Sequence, residues 1–434
     1  VDVSIIMPLY KAIDQKKFGI QENAKGIFST KMGGHIPVYF IKNDQFFGRD
    51  GLYGDRTGDF EDNFYRFLHF CRKSFELMKT LKIKSDIIHC HDWHASLMAP
   101  LLRFQYRQEP FYRDMKSILT IHNLAYQGIF PKWDFLQLGL PQNLFGINGF
   151  EFYDNINLLK AGILFSDRVT TVSPTYAREI YRDEYGGGLS GVIRSLKKPV
   201  VGILNGLDPK AWDPKVDIGL PKRYSKENLQ DKSVNKKKLQ ELSGLAQRPS
   251  VPLFGFIGRL STQKGLDLMA SALDEIMKLD LQLVFLGLGD ENYVRMLNGF
   301  ARRYPHKIAF HNRQEESLAH LIYAGSDLFL MPSVYEPCGL GQMISLRYGT
   351  IPVVFKTGGL ADTIKNFDEP GGNGFLFTHY TKGDFIKTMK TASQTYSDKK
   401  VFSSLLERSF EHDFSWKTSA QQYVKLYQEC LQSD

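Results

Sequence analysis

The chain has 434 residues, 43% of them apolar and 24% charged, the balance of a folded globular protein long enough for two or three domains. Its four cysteines, Cys71, Cys90, Cys338 and Cys430, form no CxxC pair, which argues against a disulfide framework or zinc ribbon and for a reducing compartment. The formal charge of +8 is spread along the sequence, so nucleic-acid binding is not expected. The Lys197–Lys198 and Lys236–Lys238 clusters read as solvated faces, and a moderate positive field suits a phosphorylated substrate. No apolar run reaches the roughly 18 residues that a membrane span needs, so no membrane partner is expected.

The opening VSIIMPLY reads as a strand already in progress, with no Met, basic leader or cleavage site before it, so a segment is expected upstream. Short β-branched runs then alternate with helical patterns, the rhythm of an α/β fold with parallel sheets. In the first half, strands are predicted at 3–7, 38–41, 86–90, 117–121, 168–172 and 200–204, with helices at 64–81 and 158–165. Residues 213–250 turn polar and Lys-rich, which predicts a linker or peripheral helix and places a domain boundary there. The rhythm resumes with strands at 253–257, 281–286, 307–311, 328–331 and 351–355, and an amphipathic segment at 416–431 closes the chain. The expected organisation is a Rossmann-like domain over 1–212, a second over 213–415, and a C-terminal helix over 416–434.

In doubly wound sheets, ligands bind beyond the carboxyl ends of strands, so the residues leaving each strand carry the functional reading. Here they are unusually polar or glycine-rich: HCHDWH from His89, HNLAYQG from His122, NGLD from Asn205, GRLSTQKG from Gly258, EPCGL from Glu336 and TGGL from Thr357. Arg259 and Lys264 are two cations beside glycines, a combination that suits a diphosphate. The Thr357-Gly358-Gly359-Leu360 turn, ahead of a predicted helix, is a second candidate phosphate cradle. Taken alone, either is better explained by an ordinary strand–helix turn with surface cations. Glu336 can receive sugar hydroxyls or balance positive charge developing at an anomeric carbon; a carboxylate complementing a helix dipole is the bland alternative. His89, His91, Asp92 and His94 have the H-x-H spacing of some zinc sites, but no Glu-rich segment accompanies them and no metal is expected. Sugar recognition by Asp92 and His122 is the better reading, with Trp93, Tyr126 and Tyr335 nearby as stacking or core aromatics.

Six motifs in one order, HDWH, TIHNLAYQGIF, GILNGLDPKAWDP, GRLSTQKGLDL, EPCGLGQMISLRYGT and TGGLADT, resemble the bacterial glycogen synthases and plant starch synthases. The resemblance runs from about Pro37 to Phe414–Trp416. It implies a GT-B fold, in which two Rossmann-like doubly wound domains face a deep cleft and the last helix crosses back to the first domain. It implies ADP-glucose or UDP-glucose as donor and an α-1,4-glucan (glycogen, starch or a maltooligosaccharide) as acceptor, with no cofactor. By motif, Arg259 and Lys264 would stabilise the departing nucleoside diphosphate, Glu336 would hold the glucose and support oxocarbenium-like charge, and Asp92 and His122 would line the donor sugar with Asn205 nearby. Gly258, Cys338, Gly339, Leu340 and Thr357 would complete the substrate site, and Gly358, Gly359 and Leu360 would donate backbone N–H groups to phosphate or sugar. The implied mechanism is retaining, by front-face attack. Many retaining relatives carry a second Glu eight residues after the first; Ile344 stands there, as it suits glycogen and starch synthases. A bacterial cytoplasm or a plastid, not secretion, is the expected compartment.

Two departures stand out. The family's lysine–glycine–glycine–leucine loop does not occur near Val1, so roughly 30 to 40 residues with an internal strand are expected upstream. Gln314 stands where many bacterial members place an aromatic that stacks on adenine, which leaves the choice between ADP and UDP open. Two competing readings follow. A glucan phosphorylase would need a pyridoxal phosphate lysine motif, which is not found. A non-catalytic glucan-binding homologue is opposed by intact Glu336, Arg259 and Lys264.

Overall fold

A computed structural model describes residues 1–23, 26–55 and 58–432. The chain divides into two compact units, one comprising Val1–Thr171, Ile180–Val201 and Tyr423–Asp434, the other Val172–Glu179 and Gly202–Gln422.

In the first unit the two larger sheets have four strands each. Ile5–Pro8 pairs in parallel with Ile36–Ile41, which continues antiparallel into Ile27–Met32 and Gln21–Asn23. The second sheet runs Val201–Gly202, Arg168–Thr171, Lys116–Ile121, Ile87–His91, and its central pairings are parallel. The antiparallel strands at 21–32 escaped the sequence reading because they are largely exposed and lack the apolar alternation that marks a half-buried strand. Helix Asn63–Thr80 buries Phe64, Phe67, Leu68, Cys71, Phe75 and Met78, the three-and-four spacing of one apolar face. A small antiparallel sheet of Ile129–Pro131, Asn155–Asn157 and Glu151–Phe152 was not foreseen, its strands being too short to show a period.

The second unit is built on one parallel six-stranded sheet, in the order Ile308–His311, Gln282–Leu286, Leu253–Ile257, Leu328–Met331, Ile351–Phe355, Phe375–Phe377. Numbered along the chain this is 3-2-1-4-5-6, the doubly wound order, whose direction of winding reverses between Leu253–Ile257 and Leu328–Met331. These strands are buried on both faces, hence their continuous apolar runs. Phe375–Phe377, of three residues, was too short to predict.

Residues 213–250 lie inside the second unit. Their helix, Lys232–Leu242, buries Lys232, Asn235, Lys236, Leu239 and Gln240. This corrects the solvated-face reading of the 236–238 cluster at Lys236, while Lys237 is exposed as expected: Lys236 Nζ is buried against Asp327 Oδ2 and Val251 O, each at 2.6 Å, and Tyr396 OH at 3.0 Å. Lys232 Nζ donates to Ala324 O at 2.8 Å, Tyr348 O at 3.0 Å and Thr350 Oγ1 at 2.7 Å, and burial pushes its ammonium down to about 7. Among the described residues no helix is long and apolar enough to cross a membrane.

Candidate functional site

The candidate residues fall into one group in each unit. In the first, the parallel strands Ile87–His91 and Lys116–Ile121 deliver HDWH and HN side by side. Asp92 has a left-handed backbone, φ 56°, which Asp tolerates better than most residues. Its Oδ1 accepts the His122 backbone N–H at 2.7 Å, so the two expected sugar-binding residues are brought together. Burial raises the Asp92 carboxyl, opposed by the His122 ring and by the His122 and Asn123 backbone N–H groups.

A file of imidazoles stands beside them. His91 Nδ1 meets His122 Nε2 at 2.9 Å, and the His89 and His91 rings stack with centroids 4.5 Å apart. His89 uses both ring nitrogens, on Thr120 Oγ1 at 2.6 Å and Tyr427 OH at 2.8 Å, leaving neither for a metal. Burial, reinforced by neighbouring imidazoles, pushes His89 down to about 3 and His91 to about 4. Both are therefore neutral near pH 7, which lets the rings stack without repulsion. Trp93 is buried edge-on to Phe67, and a Cβ on Gly128 would strike its ring at 2.5 Å. It is a core residue; Tyr126 is exposed.

In the second unit the site residues emerge where the sheet reverses its winding. The turn after Leu253–Ile257 carries Gly258 and Arg259, which is exposed, then the single helical turn Thr262–Lys264, ended by Gly265 at φ 79°. A Cβ on Gly265 would lie 2.1 Å from Pro332 O, and Val334 N–H donates to Gln263 O at 2.9 Å. The lysine turn is thus pressed onto the segment leaving Leu328–Met331. That contact aims Lys264 Nζ at Glu336 Oε2, 2.6 Å away, and Ser333 Oγ donates to the same oxygen at 2.9 Å. The Glu336 side chain is 9% exposed and that of Lys264 25%, so the pair is well shielded but open at the lysine. An ammonium has three donors; Glu336 uses one, and others remain for an anionic ligand.

The EPCGL loop is tightly built. Gly339 is left-handed at φ 70°, and the Gln342 amide donates to Cys338 O at 3.1 Å, Gly339 O at 2.9 Å and Thr363 Oγ1 at 3.1 Å. Cys338 is buried and its thiol is pushed up to about 12, burial outweighing the Asn205 backbone N–H; that contact places Asn205 against the loop. Leu340 is exposed at the start of helix Gly341–Arg347. Ile344 on that helix is buried in the core, where a second Glu would have no solvent.

The TGGL turn departs from expectation. Gly358 N–H donates to both Glu179 carboxylate oxygens at 3.1 Å, and Thr357 Oγ1 to one of them at 3.2 Å. Gly359 N–H donates to Glu336 O at 3.0 Å. A Cβ on Gly358 would lie 2.0 Å from Glu336 O, and one on Gly359 1.9 Å from Cys338 O. The glycines therefore let this turn press against the EPCGL loop, and the N–H groups of Gly358 and Gly359, expected to face phosphate or sugar, are engaged within the protein; Leu360 is buried. Sequence reasoning missed Glu179, Ser333 and Gln342. Ser333 sits three residues before Glu336 and could have been suspected; nothing local marks Glu179.

A family model described as the starch synthase catalytic domain matches residues 1–195, and one described as glycosyl transferases group 1 matches 241–403. A glycogen synthase of Desulforamulus reducens is 45% identical over 410 residues, covering 94% of this chain and 84% of the relative. One from Geotalea uraniireducens is 44% identical over 446 residues, covering 99% and 92%. The catalytic domain of starch synthase IV from Arabidopsis thaliana, solved bound to ADP and acarbose, superposes with a TM-score of 0.91 at 34% identity, covering 100% of this chain and 92% of that one. A sucrose-phosphate synthase from Thermosynechococcus elongatus shares the fold, with a TM-score of 0.58 at 16% identity, 98% of each chain being covered.

Proposed function

Because the chain belongs to the glycogen and starch synthase family of glycosyltransferases and has the GT-B fold, we propose that it transfers glucose from ADP-glucose to the non-reducing end of an α-1,4-glucan, with retention of configuration. The observation that carries this reading for its own residues is the Lys264–Glu336 pair, 2.6 Å apart where the six-stranded sheet reverses its winding. A carboxylate beside a fixed cation answers both charges of glycosyl transfer: the anomeric carbon becomes positive as the diphosphate leaves negative.

Lys264 and Arg259 take the departing phosphates, supplying positive charge on the protein itself. Glu336, shielded and fixed by Ser333, holds the glucose and favours the cationic sugar. Asp92 and His122 orient the donor glucose, and Asn205 joins the substrate site through its place against Cys338. With attack and departure on one face, the leaving diphosphate receives the acceptor's proton, so no glycosidase-like pair of carboxylates is required.

The test is transfer of labelled glucose to glycogen, with ADP-glucose and UDP-glucose run side by side. Transfer from ADP-glucose with the α-linkage retained is expected. Transfer from UDP-glucose alone would overturn the donor assignment, and transfer from neither would overturn the function.

A further inference from the structure

Two short helices of the second unit, Pro174–Glu179 and Gly358–Thr363, cap one another. The first turn of any helix leaves N–H groups without intrahelical partners. Asp362 serves the first helix: its carboxylate accepts from the Thr175 N–H at 2.9 Å and the Thr175 hydroxyl at 2.6 Å. Glu179 serves the second, accepting from Gly358 N–H and the Thr357 hydroxyl as described above. Each acid also sits at the positive end of its partner's dipole, which strengthens these bonds.

The consequence runs one residue further. With Gly358 pinned by Glu179, the next N–H, of Gly359, donates to the carbonyl of Glu336. No side chain separates the two turns, since a Cβ on either glycine would overlap the EPCGL backbone. Close-packed backbones of this kind transmit a shift in one to the other. The carboxylate of that same Glu336 carries the Lys264 and Ser333 contacts.

We propose that Glu179 is a positioning residue. It fixes the Thr357–Gly359 turn through Gly358, and that turn fixes the backbone of Glu336 through the Gly359 N–H, setting where the Glu336 carboxylate stands during glucosyl transfer. The inference rests on the role proposed above for Glu336, and extends it to a side chain that touches no substrate.

The experiment compares Glu179→Ala and Glu179→Gln with the unaltered protein, by steady-state kinetics with ADP-glucose and glycogen and by amide hydrogen exchange. Loss of charge-assisted hydrogen bonds should lower kcat of Glu179→Ala about tenfold, with the donor KM within about twofold. The Gly358 and Gly359 amides should exchange about tenfold faster while the six-stranded sheet keeps its protection. Glutamine retains an acceptor oxygen, so Glu179→Gln should recover kcat to within about threefold and exchange at Gly359 about threefold faster than the unaltered protein. A kcat within about twofold in Glu179→Ala, unchanged Gly359 exchange, or faster exchange spread over the whole sheet would each overturn the proposal. Should the alanine variant not fold, unchanged Gly359 exchange in Glu179→Gln does so. If the unaltered protein transfers no glucose, the functional reading fails by itself, and exchange at Gly359 still decides whether Glu179 controls the Glu336 backbone.

Discussion

Removing the lysine of the Lys264–Glu336 pair should damage stability and turnover by different amounts, and the difference is diagnostic. Lys264→Ala leaves a carboxylate that is 9% exposed with the Ser333 hydroxyl as its remaining named partner. Breaking a fully buried pair costs about 3–5 kcal/mol, and exposed pairs are worth about 0–1 kcal/mol. With the lysine side chain 25% exposed, a loss of about 2 kcal/mol in unfolding free energy is expected by interpolating between those limits. Turnover should suffer more, because the ammonium is aimed where leaving-group charge develops: about 2.7–4 kcal/mol, or roughly 100- to 1000-fold in kcat. The assay pairs denaturant unfolding with labelled-glucose transfer on Lys264→Ala, Glu336→Gln and the double variant. Neutralising Glu336 removes the uncompensated charge, so the double variant should regain most of the lost stability and none of the lost activity. A Lys264→Ala enzyme within about tenfold of normal kcat would refute the leaving-group role. A double variant no more stable than Lys264→Ala would refute the account of the pair as a shielded charge couple.

Three further predictions can be checked by routine measurement. Gly359→Ala forces a methyl against the Cys338 carbonyl, 1.9 Å from where its Cβ would stand, and should cost about 1–3 kcal/mol as overpacking together with most glucose transfer; a variant of normal thermal stability and turnover would contradict that close approach. Lys236→Ala should destabilise by about 3 kcal/mol because it strands Asp327, whereas Lys238→Ala, whose pair with Glu241 is largely exposed, should stay within about 0.5 kcal/mol; equal effects would restore the solvated-face reading. Acidification should destabilise the protein through His89, His91 and His94, whose folded values of about 3, about 4 and about 3 lie below the ordinary 6.5. Below 6.5 the unfolded chain binds protons that the folded one refuses, so stability is fully present above that pH and falls towards pH 4. Thermal unfolding across this range should show a smaller slope in His89→Gln, and an unchanged slope would remove His89 from the account.

The second unit was legible in the sequence because its strands are buried on both faces. Leu253–Ile257, Leu328–Met331 and Ile351–Phe355 fall where their apolar runs predicted them, and the polar residues that follow them mark the strand ends. The first unit was less so. Exposed antiparallel strands such as Gln21–Asn23 carry no burial signature. The exception within the second unit is the Lys-rich helix Lys232–Leu242, which hides two buried ammonium groups behind a composition that normally means solvent. Glu336, Lys264 and Arg259 could be named as candidates because their neighbours in sequence announce a turn. The pairing of Lys264 with Glu336, and the engagement of Gly358 by Glu179, depend on partners distant along the chain and had no local sign.

The strand order of the second unit also bears on how the chain acquires its site. Leu253–Ile257 and Leu328–Met331 pair side by side, yet Lys264 and Glu336, which they deliver, lie 72 residues apart. All the chain of strands Gln282–Leu286 and Ile308–His311 must be made before that pairing can close, and closing so long a loop costs entropy that local contacts do not return. During synthesis the lysine turn therefore exists well before its carboxylate partner has been translated. The charge couple forms only once these two strands have paired at the centre of the sheet, so its appearance in a refolding or translation-arrest experiment would report that pairing, ahead of the later strands Ile351–Phe355 and Phe375–Phe377, and not the making of either loop.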